Sequence, residues 1–583
     1  MKRIKISFAV ILASLAFSSI SAQLQTGIHY YLLGDYQRAK GCLVKELTAN
    51  PVEANFYLGE IAFKEGDAQK AKEYYDKGLS ADPENIQNQV GLAKLNLKAD
   101  TKNTETFFKA LQKKNKKNID VPLTIGRAYL DNGMLKQADN MVSDAKKINS
   151  KNPDIYILEG DVLLAVDSIK KIGDAAGKFE MSTYFDPNFA FGYVKTAQVY
   201  EIINSKLAID KLKTIIEKQP DYMIAYGLLG KIYVRNGFYP QAIELYTTYL
   251  KSGVQNVWDI ERYARALYFT EDYAAAEKVV LEGLKTSPKH FVLNRYQMYI
   301  NAKTKNIDEG LLNAEEFFSL REPSRYIAQD RTMYATLLKD AKRFTAAIAE
   351  IDKAMVLEPD NMDLYTEAIS IAREKRDFAV AATYLQKQMN KKAAVANSAE
   401  YEDDIVDVNT LGFNYYNAGT SLGRNVPLAE EFMADKKITD KLFAVGKNLY
   451  ADSLTTDLKY FTRQYSLYYL NKADSTFNIL IERAPEGYSG YRLKALTQHA
   501  INPNTETGLA RPYYEKVVEI LLERDEQTDA NKRILLEAYI YLGYHHYLNS
   551  DKANSILYMN KVLELDSENK TAKLILDDVN KPQ

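Results

Sequence analysis

The residue types that most often carry out catalysis or bind metal ions are scarce in this sequence. The 583 residues include five histidines and a single cysteine, Cys42. His545 and His546 are adjacent, and because neighbouring residues of a helix point about 100° apart, they are not placed to chelate one ion. The sequence has no His-Glu-x-x-His motif and no Gly-rich loop followed by Lys-Ser or Lys-Thr. We therefore expect a protein that is not an enzyme and that carries no cofactor and no metal ion.

The overall composition is that of a folded, helical protein with balanced charge. Lys and Arg number 76 and Asp and Glu number 77, which gives a net charge of −1. The balance excludes a chain-wide basic field for nucleic acid, and the hydrophobic content of 46% excludes an acidic disordered protein. Glycine and proline together make up about 7% of the residues, below the usual ~12%. With few turn-forming residues and no alternating β-branched runs, the sequence predicts an all-α fold.

The N-terminus has the form of a secretory signal peptide, which we assign to residues 1–22. A basic stretch, Met1–Lys5, precedes an apolar run and the small residues Ser21 and Ala22. Cleavage is expected after Ala22 or after Ser21, and an uncleaved membrane anchor is the alternative. No cysteine directly follows the apolar run, which argues against a lipid anchor. These features predict an exported protein that is periplasmic, outer-membrane-associated or extracellular, with no transmembrane segment after signal removal.

The rest of the sequence is periodic, with a period of about 34 residues, a length typical of helical repeats. Leu58-Gly59 and Leu229-Gly230 are each followed, twelve residues after the glycine, by an alanine. The same alanine phase recurs at Ala39, Ala71, Ala138, Ala175, Ala208, Ala242, Ala276, Ala347, Ala381 and Ala473. Each unit has apolar residues at helical spacing in two successive segments, and a proline often follows the second. Because neither helix can bury its apolar stripe alone, the units are predicted to stack into a solenoid.

These residues resemble the tetratricopeptide repeat family, whose pattern is an aromatic, Leu-Gly, Tyr, Ala, a further aromatic, Ala and Pro. The resemblance implies a right-handed α-solenoid of about 15 helix-turn-helix repeats. Good matches are 52–85, 119–153, 223–256, 257–290, 328–361 and 454–487. Weaker copies are 23–51, 86–118, 154–188, 189–222, 291–324, 362–395, 405–453, 488–530 and 531–567.

The period fails between Ala396 and Thr439. Residues from Pro427 to about Tyr450 predict one helix of roughly 36 Å, about twice the length of a repeat helix. We therefore expect an irregular, extended-helix repeat at 396–453. It would separate an N-terminal array, 23–395, from a C-terminal array, 454–583, that ends in a capping helix.

Binding residues are predicted on the concave surface of the central repeats. The inward-facing phases of the first helix of each repeat carry aromatic and basic side chains there, the types that are enriched in binding hot spots. The predicted partner-binding residues are Lys231, Arg235, Trp258, Arg265, Tyr268, Arg295 and Tyr299. The alternative is that these side chains are partly buried and their charges incidental.

The resemblance implies a non-catalytic protein-protein interaction scaffold or assembly factor of the bacterial periplasm or cell envelope. Its partner would be a protein bound on the concave solenoid surface, with no nucleic acid and with possible peripheral association with the envelope. The alternative function is an envelope protein that binds a glycan or another substrate on a helical-repeat scaffold. Tyrosine and tryptophan platforms would favour that alternative, whereas the missing lipid-anchor cysteine argues against it.

Overall fold

A computed structural model describes residues 21–321, 323–396, 402–421, 458–524 and 528–581. These residues form 29 α-helices and no strand. In chain order the helices are α1 Ala22–Leu32, α2 Tyr36–Leu43, α3 Pro51–Lys64, α4 Ala68–Ala81, α5 Ile86–Leu95, α6 Thr101–Lys114, α7 Asp120–Asp131, α8 Leu135–Asn149, α9 Pro153–Val166, α10 Ile172–Phe185, α11 Ala190–Ile203, α12 Ser205–Lys218, α13 Met223–Arg235, α14 Tyr239–Tyr249, α15 Val257–Phe269, α16 Tyr273–Thr286, α17 Phe291–Thr304, α18 Ile307–Ser319, α19 Ala328–Asp340, α20 Phe344–Leu357, α21 Met362–Glu374, α22 Phe378–Ala396, α23 Ile405–Ser421, α24 Leu458–Arg483, α25 Tyr488–Ile501, α26 Arg511–Leu522, α27 Asp529–Leu548, α28 Lys552–Leu565 and α29 Lys570–Val579.

The first 28 helices follow one another as helix-loop-helix repeats, so the predicted all-α repeat solenoid is confirmed. The α3–α4 repeat shows how the sequence dictates the turn. Gly66 adopts a left-handed φ of 83°, a conformation in which a side chain would be strained. Asp67 then caps α4 by accepting a hydrogen bond from the backbone N–H of Lys70 at 2.9 Å.

The glycine and alanine of each repeat permit close helix crossing. The ring of Tyr75, on α4, packs directly against Gly59 of α3 and Gly91 of α5. A Cβ at either glycine would lie 2.5 Å from Tyr75 Cε1, so neither position accepts a side chain without movement. Ala71 is fully buried one turn before Tyr75. The spacing of glycine, alanine and tyrosine in this part of the sequence therefore allows one ring to pack between two neighbouring helices.

The helices form two compact units. The first contains the described residues up to Thr304 together with Glu315–Leu320, and the second contains Lys305–Ala314 and the described residues from Arg321 onward. The division therefore lies near residues 305–320. The described parts of 396–453, which we predicted as the seam between two arrays, lie within the second unit.

The predicted repeat 454–487 is not a helix-turn-helix pair in the structure, and residues 422–453 of the predicted repeat 405–453 lie outside the described residues. Residues 458–483 form the single helix α24 rather than a helix-turn-helix pair, and α24 packs antiparallel against α23. Gly412 faces Phe477 and Gly419 faces Leu470 across this pair. The prediction was wrong because α24 carries an alanine, Ala473, in the phase of a second helix while lacking the turn that would precede it. The predicted helix 427–450 lies outside the described residues.

Both ends of the described chain bear on the sequence predictions. Most of the predicted signal peptide, residues 1–20, lies outside the described residues, and Ser21 is the N-cap of α1. At the other end, α29 buries Ala572 and Ile575 and leaves Leu574 exposed, and its role as a capping helix stays a prediction. Among the helices that the structure describes, none is long and apolar enough to cross a membrane.

Candidate functional site

The first helix pair, α1–α2, contacts helices that lie several repeats further along the chain. Arg38 of α2 forms an ion pair with Asp259 of α15 at 2.9 Å and donates a hydrogen bond to the Tyr249 hydroxyl at 2.8 Å. The Tyr30 and Tyr249 hydroxyls are hydrogen-bonded at 3.0 Å. Apolar residues of α1–α2 share one core with residues of α11 to α15. The helices of the first unit thus close into a complete turn.

His29 extends the same closure on α1. Its ring stacks on Phe191 with centroids 4.5 Å apart, and its Nδ1 is hydrogen-bonded to the Tyr222 hydroxyl at 2.9 Å. Burial lowers the pKa of His29 to about 4, because a charged imidazolium is poorly solvated in the core. The ring is therefore neutral at ordinary pH, where it acts as a packing and hydrogen-bonding group.

Closure of the turn encloses a cavity of about 360 Å³ on the inner face of the first unit. Its wall combines aromatic rings, such as Phe56, Tyr57 and Phe191, with amide and charged groups. The other residues at the wall are Gln25, Ile28, His29, Tyr31, Leu32, Glu60, Gln87, Val90, Lys94, Asp120, Leu123, Thr124, Arg127, Ala128, Asp154 and Phe189. The wall is thus about half polar or charged, and concave sites with converging polar groups commonly bind ligands.

A ladder of charges runs along the inner face at the repeat period. Its members occupy equivalent positions of α3, α5, α7, α9 and α11, each one repeat further along the sequence: Glu60, Lys94, Arg127, Asp161 and Lys195. Lys94, 1% exposed, lies 2.5 Å from Glu60 and 3.1 Å from Asp131. Asp161 lies 3.3 Å from Arg127 and 2.6 Å from Lys195. Neighbouring repeats are therefore tied by ion pairs as well as by apolar packing.

The predicted partner-binding residues do not form one wall. Lys231 and Arg235 both pair with Glu201, at 3.0 and 2.8 Å. Trp258 is 49% exposed and packs edge-on against His290 with ring centroids 4.8 Å apart. These three side chains have solvent-accessible surface, and their role in binding stays a prediction.

Two predicted binding residues are core residues. Tyr268 and Tyr299 are 6% and 3% exposed, and their rings lie 5.8 Å apart in an aromatic cluster with Tyr296. Burial raises the pKa of Tyr268 to about 12. Their assignment to a binding surface is corrected, since the phase that faces inward in a regular repeat is covered here by neighbouring rings.

The arginines beside this cluster contact its aromatic rings. Arg265 lies over the Phe269 ring at 5.9 Å, and Arg295 lies over the Phe291 ring at 4.9 Å. Both are partly buried. Burial raises the pKa of Glu261, while these two guanidinium groups oppose that rise. Arg265 and Arg295 are therefore engaged with their own repeats, and partner binding by them stays a prediction.

The cavity residues were missed by the sequence analysis although the repeat period marks them. Gln87, Asp120 and Asp154 lie in the first turns of α5, α7 and α9, each one repeat after the last. All three reach the cavity wall. Comparing the first-turn residues of successive repeats would have identified them. The closure by α1–α2 that makes this face a cavity carries no periodic signal.

The histidine pair has structural roles. His545 is buried, with Nδ1 2.8 Å from the Thr505 carbonyl oxygen, and His546 Nδ1 lies 2.9 Å from an Asp551 carboxylate oxygen. Within the described part of the chain, no group of three or more His, Cys, Asp or Glu side chains is placed to hold a metal ion.

The fold and its inner-face cavity define a helical-repeat solenoid of the kind that presents an extended surface to another molecule. The sequence model of the tetratricopeptide repeat matches residues 52–85, the α3–α4 repeat. The chain therefore contains a tetratricopeptide repeat at these residues. Repeats of this kind suggest a protein-protein interaction scaffold.

Several solved structures are similar to this chain. The C-terminal part of a tetratricopeptide repeat protein from Cytophaga hutchinsonii is 22% identical, covers 55% of this chain and 100% of its own, and has a TM-score of 0.33. A tetratricopeptide repeat protein from Parabacteroides merdae is 14% identical, with coverage of 44% and 98% and a TM-score of 0.29. YrrB, described as having an unusual peptide-binding site, is 18% identical, with coverage of 32% and 96% and a TM-score of 0.30. No curated protein sequence matches the chain significantly.

Proposed function

We propose that this protein is a non-catalytic scaffold of the bacterial cell envelope that holds an extended segment of a partner protein in the cavity of its first unit. The observation that carries the proposal is the closed turn, in which α1–α2 encloses about 360 Å³ lined by aromatic and polar side chains. A cavity of this size accepts a few side chains rather than a folded domain. The signal-like N-terminus supports export and thereby a partner in the envelope.

Affinity capture from an envelope extract tests the proposal when cavity and control variants are compared. The full-length protein, expressed with its own N-terminus, is the bait. The cavity variant is Tyr57→Ala, because Tyr57 lines the cavity. The control is Asp174→Asn, an exposed residue on α10 whose partner is Lys171 at 2.9 Å. A protein retained by the parent and the control but lost from Tyr57→Ala supports the proposal. Capture that is equal for all three proteins contradicts it.

Fractionation and N-terminal sequencing test the proposed location. We expect the protein in the periplasmic or outer-membrane fraction, with a mature N-terminus at Ala22 or Gln23. Recovery in the cytoplasm with Met1 retained would contradict export. Oligosaccharide binding that quenches Trp258 fluorescence, with no protein captured, would favour the glycan-binding alternative.

A further inference from the structure

The charged side chains at the cavity wall differ in whether they have an ion-pair partner. Both cations there already have carboxylate partners: Lys94 contacts Glu60 and Asp131, and Arg127 contacts Asp161. Asp120 and Asp154 also reach the wall. Among the described residues, no side chain forms an ion pair with either carboxylate or donates a hydrogen bond to it. The negative charge that is left for a ligand is therefore that of Asp120 and Asp154.

Both carboxylates lie at the N-terminal ends of helices and line the cavity. Each lies in the first turn of its helix, α7 or α9, where the helix dipole favours a negative charge. Burial within the turn raises the pKa of Asp154, and the neighbouring Asp120 adds to that rise while Arg127 opposes it. Asp120 and Asp154 are both exposed residues and both line the cavity. The site is thus an accessible acidic surface at the cavity wall, where a cation would offset the negative charge.

The Tyr57 hydroxyl is a further polar group at the cavity that could bind a ligand. Its ring lines the cavity from α3 and contacts the rings of Tyr31 and Phe56, with centroids 5.5 and 4.9 Å away. Burial raises the pKa of the Tyr57 hydroxyl, so the group stays protonated. Its oxygen has no hydrogen-bond partner among the residues that the structure describes. The hydroxyl is therefore available to a ligand in the cavity.

We infer that the cavity receives a lysine or arginine side chain of the partner segment, with its charged group at Asp120 and Asp154 and its stem against the aromatic wall. The inference rests on the proposed function. The Tyr57 hydroxyl oxygen accepts a hydrogen bond from the same ammonium or guanidinium group. The long side chains of lysine and arginine match such a site, because their methylene stems pack on apolar surface while the head group stays paired. An acidic segment is disfavoured, since it would have to displace Glu60 or Asp161 from its cation.

Selection from a random peptide library, with the full-length protein immobilised, identifies the preferred side chain. The library is displayed with both peptide ends blocked by flanking sequence, so that only side chains are selected. We expect lysine or arginine at one position of the enriched peptides. Enrichment of peptides without a basic residue, lost from Tyr57→Ala, would overturn the inference and leave the proposed function standing. Failure to enrich any peptide would contradict both.

Affinity measurements on one selected peptide test the contacts. Fluorescence polarisation compares the peptide with a copy in which the basic residue is replaced by norleucine. We expect Asp154→Asn and Asp120→Asn each to weaken binding about tenfold, and Tyr57→Phe about threefold. The norleucine copy should bind weakly to all proteins and show no effect of Asp154→Asn. Asp174→Asn should bind like the parent. Equal affinities of the parent and Asp154→Asn for the basic peptide would overturn the inference.

Discussion

Arg38 and Asp259 are separated by 221 residues in the sequence and form an ion pair of 2.9 Å. Asp259 is 2% exposed and Arg38 is largely buried, so the pair lies inside the protein where α2 meets α15. The carboxylate also accepts a hydrogen bond from the Tyr249 hydroxyl at 3.1 Å. This one contact therefore joins the first repeat to the eighth and closes the turn that forms the cavity.

Removing one partner of this buried pair should destabilise the first unit. We expect Arg38→Ala and Asp259→Asn each to lower the free energy of unfolding by about 1.5–3 kcal/mol, the range for a hydrogen bond to a charged group. The loss stays moderate because Asp259 keeps Arg262 at 3.2 Å and Arg38 keeps Asp35 at 2.5 Å. The double variant should lose less than the sum of the two. Urea unfolding followed by Trp258 fluorescence measures the change, since the single tryptophan lies in this unit.

Lys40 of α2 provides the matched control for that pair. It forms an exposed ion pair with Glu65 at 2.6 Å, and exposed pairs contribute about 0–1 kcal/mol. Lys40→Ala should therefore change the free energy of unfolding by less than about 1 kcal/mol. Equal losses from Lys40→Ala and Arg38→Ala would contradict the closure of the turn by the buried pair.

Acid should weaken the closure through His29. Its pKa is about 4 in the folded protein and about 6.5 when unfolded. Between these values only the unfolded chain binds the proton, so stability is full above pH 6.5 and falls as the pH drops toward 4. The loss amounts to roughly 3 kcal/mol over that range.

His29→Gln isolates this contribution, because glutamine does not titrate and all other groups are shared. The difference in the free energy of unfolding between the parent and His29→Gln is expected to shift by roughly 3 kcal/mol between pH 7.5 and 4. At low pH the parent is therefore less stable, relative to His29→Gln, than it is at pH 7.5. Urea unfolding at several pH values measures it, and a difference that is constant with pH would show that His29 titrates alike in both states.

The crossing of α3 and α4 makes Gly59 intolerant of a side chain. Gly59→Ala would place a methyl group 2.5 Å from Tyr75 Cε1, and the ring is held on its other side by Gly91. We expect a loss of about 1–3 kcal/mol from overpacking. Gly41, in the interior of α2, has open space where a Cβ would be, so Gly41→Ala should stabilise by about 0.5–1 kcal/mol. Urea unfolding of the two variants, compared with the parent, shows whether packing or helix propensity determines the change in stability when each glycine is replaced by alanine.

The sequence predicted the repeats but not how they are assembled. Gly59, Ala71 and Tyr75 recur in phase because each crossing has the same geometry, so periodicity alone predicted the helices. The Arg38–Asp259 pair is a single contact between distant repeats and has no period. Tyr268 and Tyr299 were placed on a surface because their phase faces inward in a regular repeat, whereas neighbouring rings cover them here.

The irregular repeat α23–α24 shows a further limit of periodicity. A phase-matched alanine such as Ala473 indicates that a helix is packed at that point, but it does not tell whether the helix begins shortly before it. The repeat spacing alone therefore assigned 454–487 to a helix pair of its own. Only the packing of Phe477 against Gly412 reveals the partner of α24.

In many repeats the turn between the two helices places one residue in the left-handed region, and the type of that residue differs between repeats. Gly237 occupies it in the α13–α14 repeat with a φ of 77°, whereas Glu271 occupies it in the α15–α16 repeat with a φ of 62°. A non-glycine residue there is strained by about 1 kcal/mol or more. Glu271→Gly should therefore stabilise the protein by about 0.5 kcal/mol after the added entropy of the unfolded chain, and Gly237→Ala should destabilise it by about 1 kcal/mol. Opposite shifts of the urea midpoint, followed by Trp258 fluorescence, are expected for the two variants. Shifts of the same sign would mean that contacts of the turn, rather than its backbone conformation, determine its stability.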